Sequence, residues 1–124
     1  MATVTLRPNA VGHTTEISTQ FPNSTEHWDK VDEAIADDNT TYLEQPNSTL
    51  VLDVYGLEDL PAGVTKIKQV KLFVRGWSNT SPAIGYIDTA ISFGVGQTYV
   101  GSSHLLSTSY SYYSDIWETN PQTG

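Results

Sequence analysis

Apolar and polar residues alternate along most of this chain, and turn residues interrupt the alternation at short intervals. Successive side chains of a β-strand point to opposite faces, so a period of two is the pattern of a half-buried strand. Runs of this kind, separated by Gly, Pro, Asn and Asp, are typical of sandwiches and barrels. The pattern therefore predicts an all-β fold made of short antiparallel strands.

Two segments in the second half of the chain have the strongest strand pattern. In residues 67–75 alternate positions are apolar, and Lys68, Lys71 and Arg75 lie around them. In residues 86–95 the odd-numbered positions are mostly apolar. We expect both segments to be central strands that turn these side chains inward. The inward positions are Val70, Leu72, Val74, Ile87, Ile91, Phe93 and Val95.

The first half has weaker patterns. Val4 and Leu6 predict a first strand that ends at Pro8-Asn9, and residues 50–55 predict another that ends at Gly56. The sequence from Leu60 to Gly63, Leu-Pro-Ala-Gly, predicts a tight turn.

Residues 24–36 allow two interpretations. Trp28, Val31 and Ile35 have the spacing of one helix face, and Ser24 is a suitable N-cap. The alternative is a strand over residues 27–33, followed by a turn at residues 37–41.

The chain ends in a tyrosine-rich strand pattern, residues 109–118, followed by Asn-Pro-Gln-Thr-Gly. A strand at this position has an open edge that no later residue of the sequence covers. We therefore expect another chain to complete the fold, so that the protein is a homo-oligomer or pairs its last strand with a partner subunit.

Length, charge and composition limit the function further. The 124 residues fit one domain, 1–124, and the net charge of −8 argues against nucleic-acid partners, since Lys and Arg carry most of that affinity. Without Cys, thiolate metal sites and cysteine nucleophiles are excluded. The sequence has neither a signal peptide nor an apolar span, which predicts no membrane association and synthesis in the cytoplasm.

Catalytic residues are not predicted. His13, His27 and His104 are far apart in the sequence, and none belongs to a hydrolase or metalloenzyme motif. We therefore interpret the chain as a protein that is not an enzyme and needs no cofactor.

One acidic segment is a candidate calcium site. Asp37, Asn39 and Thr41 alternate as in the first positions of a calcium loop, and they offer oxygen ligands. The glycine and the distal glutamate of an EF-hand are missing. The alternative is a turn that Asp37, Asp38 and Asn39 close with their own side-chain hydrogen bonds.

Exposed aromatic residues suggest two kinds of contact. Trp77 and Tyr86 flank a polar loop and are candidates for stacking against a surface glycan. The aromatic residues of the last strand are candidates for subunit contacts, because interfaces are rich in such side chains. These are Tyr110, Tyr112, Tyr113 and Trp117.

Four segments together resemble the jelly-roll β-sandwich domain of bacteriophage tail and other virion structural proteins. They are residues 3–9, residues 28–42, residues 53–57 with 60–63 and 67–75, and residues 110–124. The resemblance implies two antiparallel sheets and a non-catalytic component of a virion, as capsid decoration or a tail-associated protein, with other virion subunits as partners. It also implies a missing closing segment, since members usually continue past the final Asn-Pro-x-Thr-Gly with a last strand.

The acidic-Thr-aromatic turn at residues 37–42 is similar to one in galactose-binding-like carbohydrate-binding modules. This second similarity implies an alternative function, a carbohydrate-binding module or host-attachment adhesin at an extracellular surface, with a structural calcium near the turn.

Overall fold

The computed structural model describes residues 3–23, 26–46, 50–79, 85–94 and 97–123. These residues form an all-β protein, and no α-helix occurs among them. The strands are β1 (Pro8–Thr15), β2 (Thr19–Phe21), β3 (Tyr42–Glu44), β4 (Asp53–Leu57), β5 (Val70–Gly76), β6 (Tyr86–Ser92), β7 (Thr98–Leu105) and β8 (Ser111–Trp117).

In the described residues these strands form four two-stranded antiparallel sheets, which pair β1 with β4, β2 with β3, β5 with β8, and β6 with β7. The chain divides into two compact units, Met1–Val64 and Thr65–Gly124. The all-β class is therefore confirmed at the level of small antiparallel sheets. A single domain over 1–124 stays a prediction.

The first unit begins its pairing later than the sequence predicted. Pro8 does not end a strand but starts β1, a position where proline costs no ladder hydrogen bond. The pairing with β4 shifts register twice, between Pro8 and Ala10 and between Val11 and Thr15. At Gly12 a Cβ would collide with the backbone of Val54, so this close approach of the strands requires glycine.

Residues 26–36 are neither the helix nor the strand considered above. They contain a single 3₁₀ turn, Trp28–Lys30, with no side-chain cap. Its last residue, Lys30, is 4% exposed and donates to the Asp29 carboxylate and to the backbone oxygen of Glu26. Burying a lysine ammonium requires such partners.

The Asp53 carboxylate joins three segments of the first unit. It accepts hydrogen bonds from the backbone N–H groups of Glu16 (2.7 Å) and Ile17 (2.8 Å), just after β1. It also accepts from His27 Nδ1 (2.5 Å) and from the Tyr55 hydroxyl (2.9 Å). Its side chain is only 2% exposed, so all four donors compensate for its lost hydration. Burial, and then the negative charge of Asp53, raises the pKa of Tyr55 far above its ordinary value.

In the second unit, β5 and β8 pair without irregularity from Val70↔Trp117 to Gly76↔Ser111. This confirms the tyrosine-rich last strand and a strand within residues 67–75, which begins at Val70 and, in the described residues, is one of two strands in its sheet instead of a central one. Two hydrogen bonds close the β6–β7 turn, Phe93 N–H to Gln97 O and Gln97 N–H to Gly94 O, both 3.0 Å. Gly94, at φ 145°, supplies the backbone freedom that this turn needs.

Burial in both units differs from that of a large β-sandwich. Among the described residues only Lys30 and Thr89 are buried, and both are polar. The expected inward residues Leu72, Val74, Ile87 and Ile91 are half-buried, whereas Val70 and Phe93 are exposed and Val95 lies outside the described residues.

In the part of the chain that is described, no helix is long and apolar enough to cross a membrane.

We expect Asp53→Asn to destabilise the protein by about 1.5–3 kcal/mol, because hydrogen bonds to a charged acceptor are among the strongest and an amide nitrogen cannot accept them. Urea unfolding monitored by circular dichroism measures this change. Asp59→Asn, at an exposed acid in the same unit, is the matched control and should stay within about 0.5 kcal/mol of the parent. Equal effects of the two substitutions would contradict the role assigned to Asp53.

Candidate functional site

The regular β5–β8 pairing sorts side chains onto two faces. Residues directly opposite each other in an antiparallel pair lie on the same face, and alternate residues share it. The pairs Lys71↔Ile116, Phe73↔Ser114 and Arg75↔Tyr112 therefore lie on one face. Trp77 and Tyr110 continue it just beyond the strand ends, where their rings are in contact. We call these eight residues the cation–aromatic face.

This face is largely open to solvent. Phe73 is 58% exposed, Tyr112 61%, Ile116 49% and Trp77 40%. Exposed apolar side chains are common when they are scattered, but adjacent cross-strand positions make a contiguous patch. The patch is therefore a candidate interaction surface.

Cations pack against the rings of this face. Lys71 Nζ lies 4.7 Å from the Phe73 ring centroid, and the Arg75 guanidinium carbon lies 4.8 Å from that of Tyr112 and 5.2 Å from that of Tyr110. Trp77 and Tyr110 have centroids 5.5 Å apart and an interplanar angle of 42°. Each cation–π contact stabilises an exposed site by about 0.5–1 kcal/mol, so the rings and cations hold one another in place.

The opposite face of β8 carries a polar centre at Asp115. Its Oδ2 accepts hydrogen bonds from the hydroxyl of Thr89 on β6 and from Nε2 of His104 on β7, the latter at 2.9 Å. Thr89 is 3% exposed. The carboxylate thus connects β8 to both strands of the neighbouring sheet.

Hydrogen bonds from Thr89, and then from His104, lower the pKa of Asp115 to about 2. The carboxylate is therefore ionised at neutral pH and acts only as an acceptor, which requires a proton on His104 Nε2. On the other side of the ring, His104 packs against Tyr113 with centroids 5.7 Å apart. Hydrogen bonds with Ser107, whose N–H donates to the Tyr113 oxygen at 2.9 Å, lower the pKa of the Tyr113 phenol.

A histidine oriented by a carboxylate is also part of many general-base sites. In such sites the other ring nitrogen takes a proton from a nucleophile. Here the nearby hydroxyl, that of Thr89, donates to the Asp115 carboxylate and not to the histidine, and Thr89 is buried. This arrangement fits the fixing of strands better than proton transfer to a substrate.

Gly101 on β7 provides the space for the polar centre. A Cβ at this position would lie 2.7 Å from Thr89 Oγ1 and 2.8 Å from Asp115 Oδ2. Real Cβ atoms do not approach heavy atoms so closely. A side chain at residue 101 would therefore push the carboxylate away from its donors.

The second unit also contains a shallow cavity of about 180 Å³. Val70, Ile91, Phe93 and Trp117 contribute apolar atoms to it, and Lys68 and Glu118 contribute charges. The cavity is smaller than most small-molecule sites, which measure about 300–1,000 Å³.

The structure brings together three of the aromatic residues singled out from the sequence. Trp77, Tyr110 and Tyr112 share the cation–aromatic face. Tyr113 lies on the opposite face beside His104, and Trp117 lines the cavity. Tyr86 is 68% exposed on β6, in the other sheet of the unit. The glycan candidates, Trp77 just after β5 and Tyr86 on β6, thus lie at different sheets, and the subunit-contact candidates lie on both faces of β8; both roles stay predictions.

The calcium candidates form a closed turn. The Thr41 hydroxyl donates to Asp37 (2.8 and 2.9 Å to its two oxygens) and is also within hydrogen-bond contact of Glu33. The Thr41 N–H donates to Asp37 Oδ1 at 3.2 Å, whereas Asn39 is exposed. In the described residues no three His, Asp or Glu side chains are grouped to hold a metal ion. Calcium binding stays a prediction, and of the alternative turn these contacts show only the hydrogen bonds that Asp37 accepts.

Two sets of residues were not identified as sites from the sequence. Phe73 belongs to the cation–aromatic face with Lys71 and Arg75, and the alternation from Lys71 to Trp77 was the signal for it. The polar centre of Thr89, His104 and Asp115 had no such signal, because its members are separated by 26 and 11 residues.

Comparisons with known proteins returned no match: no family model, no curated protein and no solved structure is significantly similar to this chain.

We expect Asp115→Asn to flatten the acid dependence of stability. The pKa of Asp115 is about 2 in the folded protein, below its ordinary value of 3.8, so its stabilisation is present above pH 3.8 and is lost as the pH falls through 2. Denaturant unfolding over this pH range measures the slope. Asp88→Asn, at an exposed carboxyl on β6, is the control and should keep the parent slope. An unchanged slope in Asp115→Asn would refute the assignment.

We expect Gly101→Ala to destabilise the protein by about 1–3 kcal/mol, the usual cost of forcing extra atoms into a filled space. Gly76→Ala is the matched control, because its Cβ would meet only Leu106, at an ordinary 3.5 Å. Thermal and denaturant unfolding of the two variants compare them. The prediction fails if Gly76→Ala is the more harmful substitution.

Proposed function

We propose that this chain is a non-catalytic structural component of a larger assembly and that it acts through subunit contacts made by the cation–aromatic face. The observation that carries this proposal is the exposure of Phe73, Tyr112 and Ile116 at adjacent positions of a regular sheet. In water these side chains leave apolar surface hydrated, and a partner that covers them gains about 25 cal/mol per Å² of apolar area buried.

The residue types of the face support a protein partner. Aromatic residues and arginine are enriched at the centres of protein interfaces, where they supply large contact area with few rotatable bonds. Arg75, held between Tyr110 and Tyr112, and Trp77 beside them are side chains of this kind.

The polar centre supports a scaffolding role for the rest of the unit. Asp115 and Tyr112 belong to the same strand, and their side chains lie on opposite faces. The hydrogen bonds from Thr89 and His104 hold β8 from one side, so the other side is a fixed surface. A fixed surface binds with a smaller loss of conformational entropy.

The more specific part of this proposal is a virion component, as capsid decoration or a tail-associated protein with a jelly-roll sandwich. It rests on the sequence resemblance. The small antiparallel sheets are compatible with that architecture, and the exposed face suits the repeated contacts of a shell or tube.

A second candidate function is glycan binding, as in a carbohydrate-binding module or adhesin. The observation in its favour is the partly exposed Trp77 ring beside Tyr110, which offers an aromatic surface to a sugar ring. Saturable binding on a glycan array that Trp77→Ala abolishes would favour this function over subunit contact.

We expect the double variant Tyr112→Ser, Ile116→Ser to enter native assemblies at least about tenfold less than the parent, because truncating a central interface residue commonly costs more than about 1 kcal/mol. The measurement is quantitative mass spectrometry of particles purified from the producing cells, in which the parent should be present in a fixed stoichiometry.

The matched control is Val100→Ser with Leu105→Ser. Both are exposed apolar residues on β7, outside the face, and their loss should leave incorporation unchanged. A parent protein that is found only as a monomer, apart from any particle, would contradict the proposed function.

A further inference from the structure

The two units of the chain have opposite charge balances. Met1–Val64 contains eleven acidic and two basic residues, a net charge of −9, whereas Thr65–Gly124 contains three acidic and four basic residues, a net charge of +1. The overall charge of −8 therefore belongs almost entirely to the first unit.

The positive charge of the second unit is concentrated next to and on the cation–aromatic face. All four of its basic residues lie between Lys66 and Arg75, and two of them, Lys71 and Arg75, are members of the face. The eight residues of the face include no carboxylate, because Asp115 lies on the opposite side of β8 and Asp88 is on β6. Glu118 follows the end of β8, where its carboxylate accepts a hydrogen bond from Gln69 Nε2 at 3.3 Å. These eight residues thus carry a charge of +2.

We infer that the cation–aromatic face binds the acidic first unit of a second copy of this chain. The inference rests on the proposed function and names the partner surface. Opposite charge steers the two surfaces together, and burial of Phe73, Tyr112 and Ile116 then supplies the apolar contact. The first unit offers exposed carboxylates, among them Glu26, Glu44 and Asp59.

A contact between two different surfaces of identical chains either pairs two copies reciprocally in a two-fold dimer or links successive copies head-to-tail. Repulsion between acidic first units opposes the symmetric alternative, in which two copies join through the same unit. Reciprocal pairing produces a dimer, and head-to-tail association produces a ring where the rotation closes and a filament where it does not.

The test is sedimentation velocity of the full chain in low and high salt, from about 0.01 M to about 1 M, over which the screening length falls from about 30 Å to about 3 Å. We expect complexes larger than a monomer in low salt and dissociation in high salt. The double variant Lys71→Glu, Arg75→Glu should associate at least about tenfold more weakly in low salt.

The control variant is Lys66→Glu with Lys68→Glu, which makes the same change in net charge just before β5, outside the face. It should retain most of the association. Circular dichroism and the unfolding free energy of each variant establish that it is folded, so a loss of association is not a loss of structure.

Zero-length cross-linking of carboxylates to lysine, in a mixture of ¹⁴N- and ¹⁵N-labelled chains, identifies the partner surface. We expect cross-links between Lys71 of one isotope and first-unit carboxylates of the other. A monomer in low salt, or inter-copy links only to Asp88 and Glu118, would overturn the inference.

One further outcome separates the inference from the proposed function. Association that is insensitive to salt and to the Lys71 and Arg75 substitutions, but is lost in Tyr112→Ser, Ile116→Ser, would overturn the acidic partner and leave the contact face intact. If the chain is a monomer that binds a glycan array and Trp77→Ala abolishes this binding, both the inference and the proposed function are overturned.

Discussion

The arrangement of the second unit depends on the carboxylate of Asp115. Since no described apolar side chain is fully buried in this protein, hydrophobic contact alone does not fix one strand against another. Hydrogen bonds from Thr89 and His104 do so, because they are directional and their acceptor is charged. They determine which side of β8 is turned inward, and thereby which aromatic side chains face the solvent.

The first unit uses the same chemistry with different residues. Asp53 accepts from His27, from Tyr55 and from two backbone N–H groups, so one carboxylate joins the end of β1, the 3₁₀-turn region and β4. In both units a single acceptor collects donors from separate segments. Such centres lose much of their value when one member is removed, since the remaining groups stay desolvated without a partner.

Sequence alternation predicted the second unit better than the first. β5 and β8 pair without bulges, so period two survives along the whole ladder and places Val70 to Trp77 correctly on two faces. β1 and β4 shift register twice, and the strands begin at Pro8 and Asp53 instead of at the apolar residues before them. The sequence did not predict the two carboxylate centres, because their hydrogen-bond partners come together only when the strands pair. Polar residues that are distant in sequence also have no periodic spacing from which a contact could be predicted.

Gly101 makes the Asp115 centre depend on a fixed set of residue types, because a side chain at this position would collide with Thr89 and Asp115. The centre needs a threonine, a position without a side chain, a histidine and an aspartate, here at successive intervals of 12, 3 and 11 positions. We expect proteins that share this unit to keep a glycine opposite the carboxylate, even where their exposed aromatic residues differ. The Thr–Gly–His–Asp spacing on three strands is therefore the sequence pattern that the steric argument selects for comparison with other proteins.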